Sequence, residues 1–442
     1  MASPDFIPKV SDHRFHSAVL SRLPTEWEPW PDDQTSVNHD DALNTFIKRS
    51  RKKTFAWPKK PVVFISDPHA DAEALEASLI AAGVIERDGA NLCEYQLTRF
   101  GRKAEIIVGG DCLDKGPSNL ALLRSLAHLY RLKADVTLLA GNHDLRLLMG
   151  LLVLEREKDA GSQHLFVRMG RKVVPLFREV FDQYLVNTNW SRGMPSEAEC
   201  RQALFPDEDW FENFPYFAAG FLTAEGIDRE IGKMAVKSRE FEAHCTDAGL
   251  SLQQVYAAAM KCRSLFLKDS GEFHWFFRKM RLVKQRGSFL FLHAGLDDHM
   301  AELLAKRGVK HANRAFKKNL MTQHLFSFYY GSLANTFRTK YRAVDLPLTE
   351  RGAKAARQAG IQVLVHGHVN HHAGQRISLQ QGLVHIEADI TLDAHSRERE
   401  GLDGLGVGVT LIDRKRGVVG LSGDYPRAKV FKPGRKGRLK GA

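Results

Sequence analysis

The sequence predicts an α/β fold. Short apolar runs rich in β-branched residues alternate with stretches whose apolar residues recur at helical spacing, and five histidine/aspartate clusters stand in order along the chain, each directly after such a run. The alternation is interrupted once, by a long helix-rich stretch. Strands that alternate with helices bury a sheet between helical layers.

Residues 1–60 are polar and flecked with aromatics. Glu26-Trp27-Glu28-Pro29-Trp30-Pro31 cannot be regular helix, because each proline restricts the residue before it. This segment is expected to be an arm that packs through its tryptophans. Pro61–Ser66 reads as the first buried strand, and Asp71–Val84 as a helix with Leu75, Leu79 and Ile80 on one face. Glu105–Gly109 is the second strand, Leu120–Leu132 its helix, and Val136–Ala140 the third strand, with a further helix from Leu145 to Leu154. Residues 61–155 thus form the first half of the core. Residues 156–285 are expected to be a helical insertion, a possible cap over the site. Strands resume at Ser288–Leu292, and a basic helical stretch follows over 299–320. Further strands are expected at Val363–Val365 and Leu383–Ile386, with a hairpin from Val407–Ile412 to Val418–Leu421, so the second half of the core spans 286–425. Residues 426–442 read as a basic tail.

The 442 residues suffice for a sizeable core at 43% apolar content, and Gly and Pro are ordinary. Lys and Arg exceed Asp and Glu by 64 − 52 = 12, a balance that favours anionic partners. The five cysteines, Cys93, Cys112, Cys200, Cys245 and Cys262, are scattered and odd in number. That pattern fits reduced thiols and a cytoplasmic setting. No run is apolar for the roughly 18 residues a membrane span needs, and the N-terminus lacks the apolar stretch of a signal peptide.

The clusters are Asp67-Pro68-His69, Gly110-Asp111-Cys112-Leu113-Asp114-Lys115-Gly116, Gly141-Asn142-His143-Asp144, His293-Ala294-Gly295-Leu296 and His366-Gly367-His368-Val369-Asn370. Open α/β sheets place ligands beyond the carboxyl ends of their strands. Asp67 and His69, two residues apart, can face one ion. Asp111 can bridge two, Asn142 offers a neutral oxygen, and His293 and His368 offer imidazoles. Mixed oxygen and nitrogen donors suit Mn, Fe, Zn or Co better than Ca. Two bridged divalent ions clamp an in-line displacement at phosphorus and activate water. His143 would protonate the leaving oxygen, with Asp114 or Asp144 to orient it. Lys115 could hold a phosphoryl oxygen as a point charge.

Other residues have two readings each. His366 could support the site or ligate an ion. Asp389 could orient a ligand histidine or lie on the surface. His371 and His372 read as exposed loop residues and Cys112 as a small filler. Arg278, Lys279, Arg281, Lys284 and Arg286 could line a phosphate funnel or a solvated face. Trp210, Phe211, Phe214, Tyr216 and Phe217 read as the insertion's own core.

The five clusters resemble those of the calcineurin-like metallophosphoesterases, whose pattern runs D-x-H, G-D-x-x-D, G-N-H-[DE], a later histidine and G-H-x-H. GDCLDKGP, GNHD and HAGL are most similar to the phosphoprotein-phosphatase branch. The likeness covers roughly 61–150 and 286–395. It implies a four-layer α-β-β-α sandwich, a first ion on Asp67, His69 and Asp111, a second on Asp111, Asn142, His293 and His368, and Asp114 as the partner of His143. Manganese is the first expectation for the ions. The sequence departs from the branch at Lys115, usually arginine, and at Ala70, usually glycine. Asn370 stands where G-H-x-H has its second histidine. The expected activity is hydrolysis of a phosphomonoester in a small metabolite, nucleotide or phosphoprotein. The alternatives are a nuclease that uses the basic insert and tail on nucleic acid, and a metal-binding scaffold without turnover.

Overall fold

The computed structural model describes residues 19, 21–30, 46–48, 50, 55–321 and 324–433. Most of the expected N-terminal arm and residues 434–442 of the expected tail lie outside them.

Two sheets face one another. The larger takes the order β1-β14-β13-β12-β2-β5-β6 and the smaller β10-β11-β9-β8-β7. The larger comprises β1 (Glu26–Pro29), β2 (Val62–Ile65), β5 (Glu105–Val108), β6 (Asp135–Leu138), β12 (Gly408–Asp413), β13 (Gly417–Ser422) and β14 (Arg427–Phe431). The smaller comprises β7 (Lys284–Arg286), β8 (Phe289–Phe291), β9 (Val363–Asn370), β10 (Arg376–Gln380) and β11 (Leu383–Asp389). A separate hairpin joins β3 (Ile85–Arg87) to β4 (Tyr95–Leu97).

Side chains alternate across a strand, and that alternation builds the layers. Phe64 and Ile107 of the larger sheet meet Phe289, Phe291, Val363 and Val365 of the smaller in one inter-sheet cluster. Their neighbours Val63, Ile65, Ile106 and Val108, and Leu290 and Leu364, point the other way. On the outer faces they join Leu75 and Leu79 of the helix Ala72–Ala81, Leu122 and Leu126 of Asn119–Arg131, and Met300 and Leu304 of Asp298–Met321. The result is a helix-sheet-sheet-helix sandwich. The parallel strands β2, β5 and β6 lie side by side, as do β8, β9 and β11. Their carboxyl ends therefore open on one edge.

The helix-rich stretch forms a 3-10 helix over Val167–Val173 and helices at Val174–Tyr184, Glu197–Leu204, Trp210–Ala218, Ala224–Asp247, Leu252–Leu267 and Trp275–Lys279. Glu179 pins it to the core. Its carboxylate accepts the backbone N–H groups of Asn119 (2.9 Å) and Leu120 (3.0 Å), at the start of Asn119–Arg131.

Strands β3, β4, β7 and β10 were not expected, and three further segments differ from expectation. Glu26–Pro29 is an edge strand, paired in parallel with β14. Four residues dense in charge and proline carry no alternation to read, and an edge position tolerates the proline. Of the tryptophans, Trp30 is buried and Trp57 packs on Phe289 with ring centroids 5.4 Å apart, but Trp27 is exposed. Second, β14 falls within the stretch expected as tail. Lys429 buries its ammonium on the carbonyls of Ala373 and Gln375, both at 2.8 Å. Third, the fifth cluster lies inside β9 rather than beyond it. The β9–β11 register breaks between Glu387 and Asp389, and His368 takes a φ of +71°.

Candidate active site

The edge where the strands end gathers four of the clusters, and the irregular half of β9 brings the fifth. The loops are laced together by their backbones. His69 N–H donates to the Asp111 carbonyl (3.0 Å) and Ala70 N–H to that of Cys112 (2.8 Å). Asp67, His69, Ala70, Asp111, Asp114, Lys115 and His368 all have positive φ, between 37° and 72°. This region costs an L-residue roughly 1–2 kcal/mol, and such strain concentrates where surrounding contacts dictate the backbone. Gly141 and Gly367 mark close approaches, since a Cβ would collide with the Asp111 backbone nitrogen at the first and with the Asp67 carboxylate at the second.

Asp111 stands at the centre. Its Oδ1 accepts the N–H of His143 (2.8 Å), at the start of the helix Asn142–Val153. Its Oδ2 lies 3.4 Å from Nε2 of His293 and 3.8 Å from Nε2 of both His69 and His143. One donor atom from each of Asp67, His69 and Asp111 falls within 4.8 Å of the others, and the same holds for Asp111, His293 and His368. Asn142 joins the second group, with Oδ1 3.3 Å from Nε2 of His293.

The far ring nitrogens are committed to backbone carbonyls. Nδ1 of His293 meets Gly109 (2.8 Å), Nδ1 of His69 meets Leu113 (3.2 Å) and Nε2 of His368 meets Arg338 (3.1 Å). Each such bond fixes a tautomer and leaves the opposite nitrogen free for an ion. Burial holds His69 and His368 well below the ordinary imidazole range, the neutral form a ligand needs, and lowers His143 as well. Burial also opposes charge on Asp111, but His293 and His143 outweigh it and keep the carboxyl well below its usual value. Conversely, burial disfavours charge on His293, yet Asp111 and Asp67 hold it up at about 10. The donor set, with neutral imidazoles at His69 and His368 and a shared carboxylate at Asp111, suits two divalent ions.

His143 Nδ1 sits 2.7 Å from Asp114 Oδ2. Burial raises Asp114 to about 7, tempered by Lys172 and Arg146. Asp144, the other expected orienting carboxylate, serves the backbone instead. It accepts the N–H groups of Cys112 (2.9 Å), Leu113 (3.1 Å) and Gly141 (3.3 Å), and so clamps the second loop to the third. As residue N3 of its helix it faces the preceding loop, whereas His143 projects into the cavity. Lys115 Nζ lies 2.6 Å from His69 Nε2, at the ring's ligand face. To hold a phosphoryl oxygen it must swing away from that position.

The cavity above these groups measures about 210 Å³. Lys115, Arg146, Lys172 and Lys340 supply its cations. The last three carried no signal in the sequence, because they come from a helix face, the inserted stretch and an irregular loop. Asp389 lines the cavity too. It neither orients a histidine nor lies on the surface, and burial followed by the Asp67 charge raises it to about 8. His366 turns away and pairs through Nε2 with His385 Nδ1 (3.1 Å). His371 meets Glu387 at 2.6 Å and His372 meets Glu400 at 3.0 Å. Among the inserted aromatics, Trp210 and Phe214 are buried, but Tyr216 and Phe217 are exposed.

Comparison with known proteins gives a family match and distant structural likenesses. The family model described as calcineurin-like phosphoesterase matches residues 60–371. No curated protein sequence matches. Among solved structures, a cold-active protein tyrosine phosphatase is 14% identical, with a TM-score of 0.45, over 85% of this chain and 79% of that one. The cold-active protein-tyrosine phosphatase of a psychrophilic Shewanella species is 13% identical, with a TM-score of 0.41, over 84% and 80%. A Saccharomyces cerevisiae protein serine/threonine phosphatase, described as similar to human PP5, is 10% identical, with a TM-score of 0.36, over 90% of each chain.

Proposed function

The chain belongs to the calcineurin-like phosphoesterase family, and from that premise we propose that it is a phosphomonoesterase whose two divalent ions share Asp111. The observation that carries this reading is the pair of donor groups meeting at one carboxylate, beside a His143–Asp114 pair. Asp67, His69 and Asp111 would hold the first ion, and Asp111, Asn142, His293 and His368 the second. Manganese is the first expectation, and Fe, Zn or Co also suit the donors. Bound ions of this kind supply hydroxide near neutral pH and neutralise charge on phosphoryl oxygens.

The chain's own groups do the rest. His143, bonded to Asp114 through Nδ1, delivers a proton from Nε2 to the leaving oxygen. Asp114 holds the ring in position and stabilises its cationic form. Arg146, Lys172, Lys340 and a displaced Lys115 surround the phosphoryl group with positive charge in a partly dry cavity, where such charge acts strongly. A monoester dianion gains more from four cations than a diester monoanion does, which favours monoesters. The substrate is a phosphorylated metabolite, nucleotide or protein.

No helix among the described residues is long and apolar enough to cross a membrane. All five cysteines are free thiols, four of them buried, which supports a reducing, cytoplasmic setting.

The test is turnover of p-nitrophenyl phosphate and bis-p-nitrophenyl phosphate by metal-stripped protein after Mn is restored. Metal-dependent turnover with a clear monoester preference is expected. A diester preference would replace this reading with a nuclease, and bound metal without turnover of either ester would leave the scaffold.

A further inference from the structure

A second cavity of about 370 Å³ opens beside the catalytic one and shares Arg146 and Lys172 with it. It lies between the 3-10 helix Val167–Val173 and the helix Ala224–Asp247, in the inserted stretch. Lys233 and Lys237 line it, one helical turn apart, so both reach the same face. Gly170, at φ +68°, breaks the 3-10 helix where a Cβ would stand 2.8 Å from Lys237 Nζ. The Lys237 ammonium donates to the Arg168 carbonyl. Arg168 itself is neutralised by Glu230, at 3.2 Å through Nη2. The one carboxylate among the cavity's lining residues is Glu240, 3.9 Å from His244.

Positive charge is therefore gathered here without matching negative charge. Burial, followed by the like charges of Arg168 and Arg146, drives the Lys237 ammonium down to about 6, and burial followed by Arg168 drives Lys233 to about 8. Both lysines are half-buried, and an anion in this cavity would favour their charged forms.

We propose that this cavity is a second phosphate subsite, and that the substrate is a small molecule with at least two phosphate groups, one over Asp111 and the other between Lys233 and Lys237. The proposal rests on the reading of the catalytic site given above. Arg146 stands at the junction and touches both phosphates. The adjoining cavities suit a compact polyphosphorylated compound. With tripolyphosphate as probe, water adds its oxygen to a terminal phosphorus, the P–O–P bond breaks, and the proton from His143 goes to the departing pyrophosphate.

Two measurements test it. In the first, metal-stripped protein is titrated calorimetrically with tripolyphosphate, using the full chain and its Lys233→Met and Lys237→Met variants. Loss of one charge-assisted contact is expected to weaken binding about tenfold or more. In the second, the ratio of kcat/KM for tripolyphosphate to that for p-nitrophenyl phosphate is compared after Mn is restored, and it is expected to fall by a similar factor. Lys233→Met carries the test alone if Lys237→Met does not fold. Unchanged affinity, an unchanged ratio, or no binding to the unaltered protein overturns the subsite. Weakened binding in the variants, with no turnover of any ester by the unaltered protein, refutes the hydrolase reading and leaves the anion subsite standing.

Discussion

Nδ1 of His143 and Oδ2 of Asp114 lie 2.7 Å apart in a buried pair whose members are separated by 29 residues of sequence. Two tight loops bring them together, with Asp114 at φ +72° and His143 one residue inside a helix N-terminus. The bond faces Nδ1 away from the cavity and leaves Nε2 directed toward Asp111, 3.8 Å from its Oδ2.

If His143 protonates the leaving oxygen, its removal should matter most where that oxygen is strongly basic. His143→Ala is expected to lower kcat by about 10²–10⁴-fold on an alkyl phosphate. The loss should be markedly smaller on p-nitrophenyl phosphate, whose leaving group is acidic. Equal losses on the two esters would contradict a role as general acid.

Metal removal should destabilise the chain more as pH rises. Without ions, folding raises Asp67 to about 6, Asp114 to about 7, and Asp144 and Asp389 to about 8, from an ordinary 3.8. His293 rises to about 10 from 6.5. At these groups the folded state then binds more protons than the unfolded state, so the stability they contribute falls as pH climbs through these values. The lowered imidazoles act in the opposite sense only below about 6.5, the ordinary histidine value. The gap in denaturation midpoint between Mn-loaded and stripped protein is therefore expected to widen from about pH 7 to about pH 9. A constant or shrinking gap in that window counts against the proposed occupancy.

Ala70, at φ +55°, sits in a conformation that suits glycine. Ala70→Gly would relieve roughly 1–2 kcal/mol of strain and return about 0.5–1 kcal/mol through the freer unfolded chain. A net stabilisation of up to about 1 kcal/mol is expected in urea unfolding. A clear destabilisation would show that the Ala70 methyl does more than tolerate its position.

Glu179 ties the inserted helices to the core by two backbone hydrogen bonds at Asn119 and Leu120, and the Asn119 side chain in turn accepts the N–H of Asp114 at 2.9 Å. Glu179→Ala is expected to cost about 1–3 kcal/mol, the penalty of stranding buried donors. Because Asp114 holds His143, kcat should fall with it. Lost stability with kcat intact would mean that the Asn119 loop holds its shape unaided.

Much of this was legible in the sequence, for physical reasons. Val62–Ile65, Glu105–Val108 and Phe289–Phe291 are buried on both faces, so apart from Glu105 they read as apolar runs, and the residues following them had to turn at the sheet edge. That placed Asp67, Asp111 and His293 together before any coordinates. The edge strand β1 and its neighbour β14, which lies between β1 and β13, escaped notice because their pairing is with distant strands rather than in their own patterns. Arg146, Lys172 and Lys340 escaped because they reach the cavity from separate elements and form no local motif, and Asp389 stood out in the sequence only as a support for a histidine or a surface carboxylate. The choice between Asp114 and Asp144 turns on loop geometry that spacing does not encode.

The central claim is that two ions share Asp111, and metal content measured against turnover tests it most directly. Mn-reconstituted protein should carry two ions per chain and hydrolyse p-nitrophenyl phosphate, while Asp111→Asn should lose both turnover and at least one ion. Full turnover with a single ion per chain, or an Asp111→Asn variant that keeps both ions and its activity, would contradict the account.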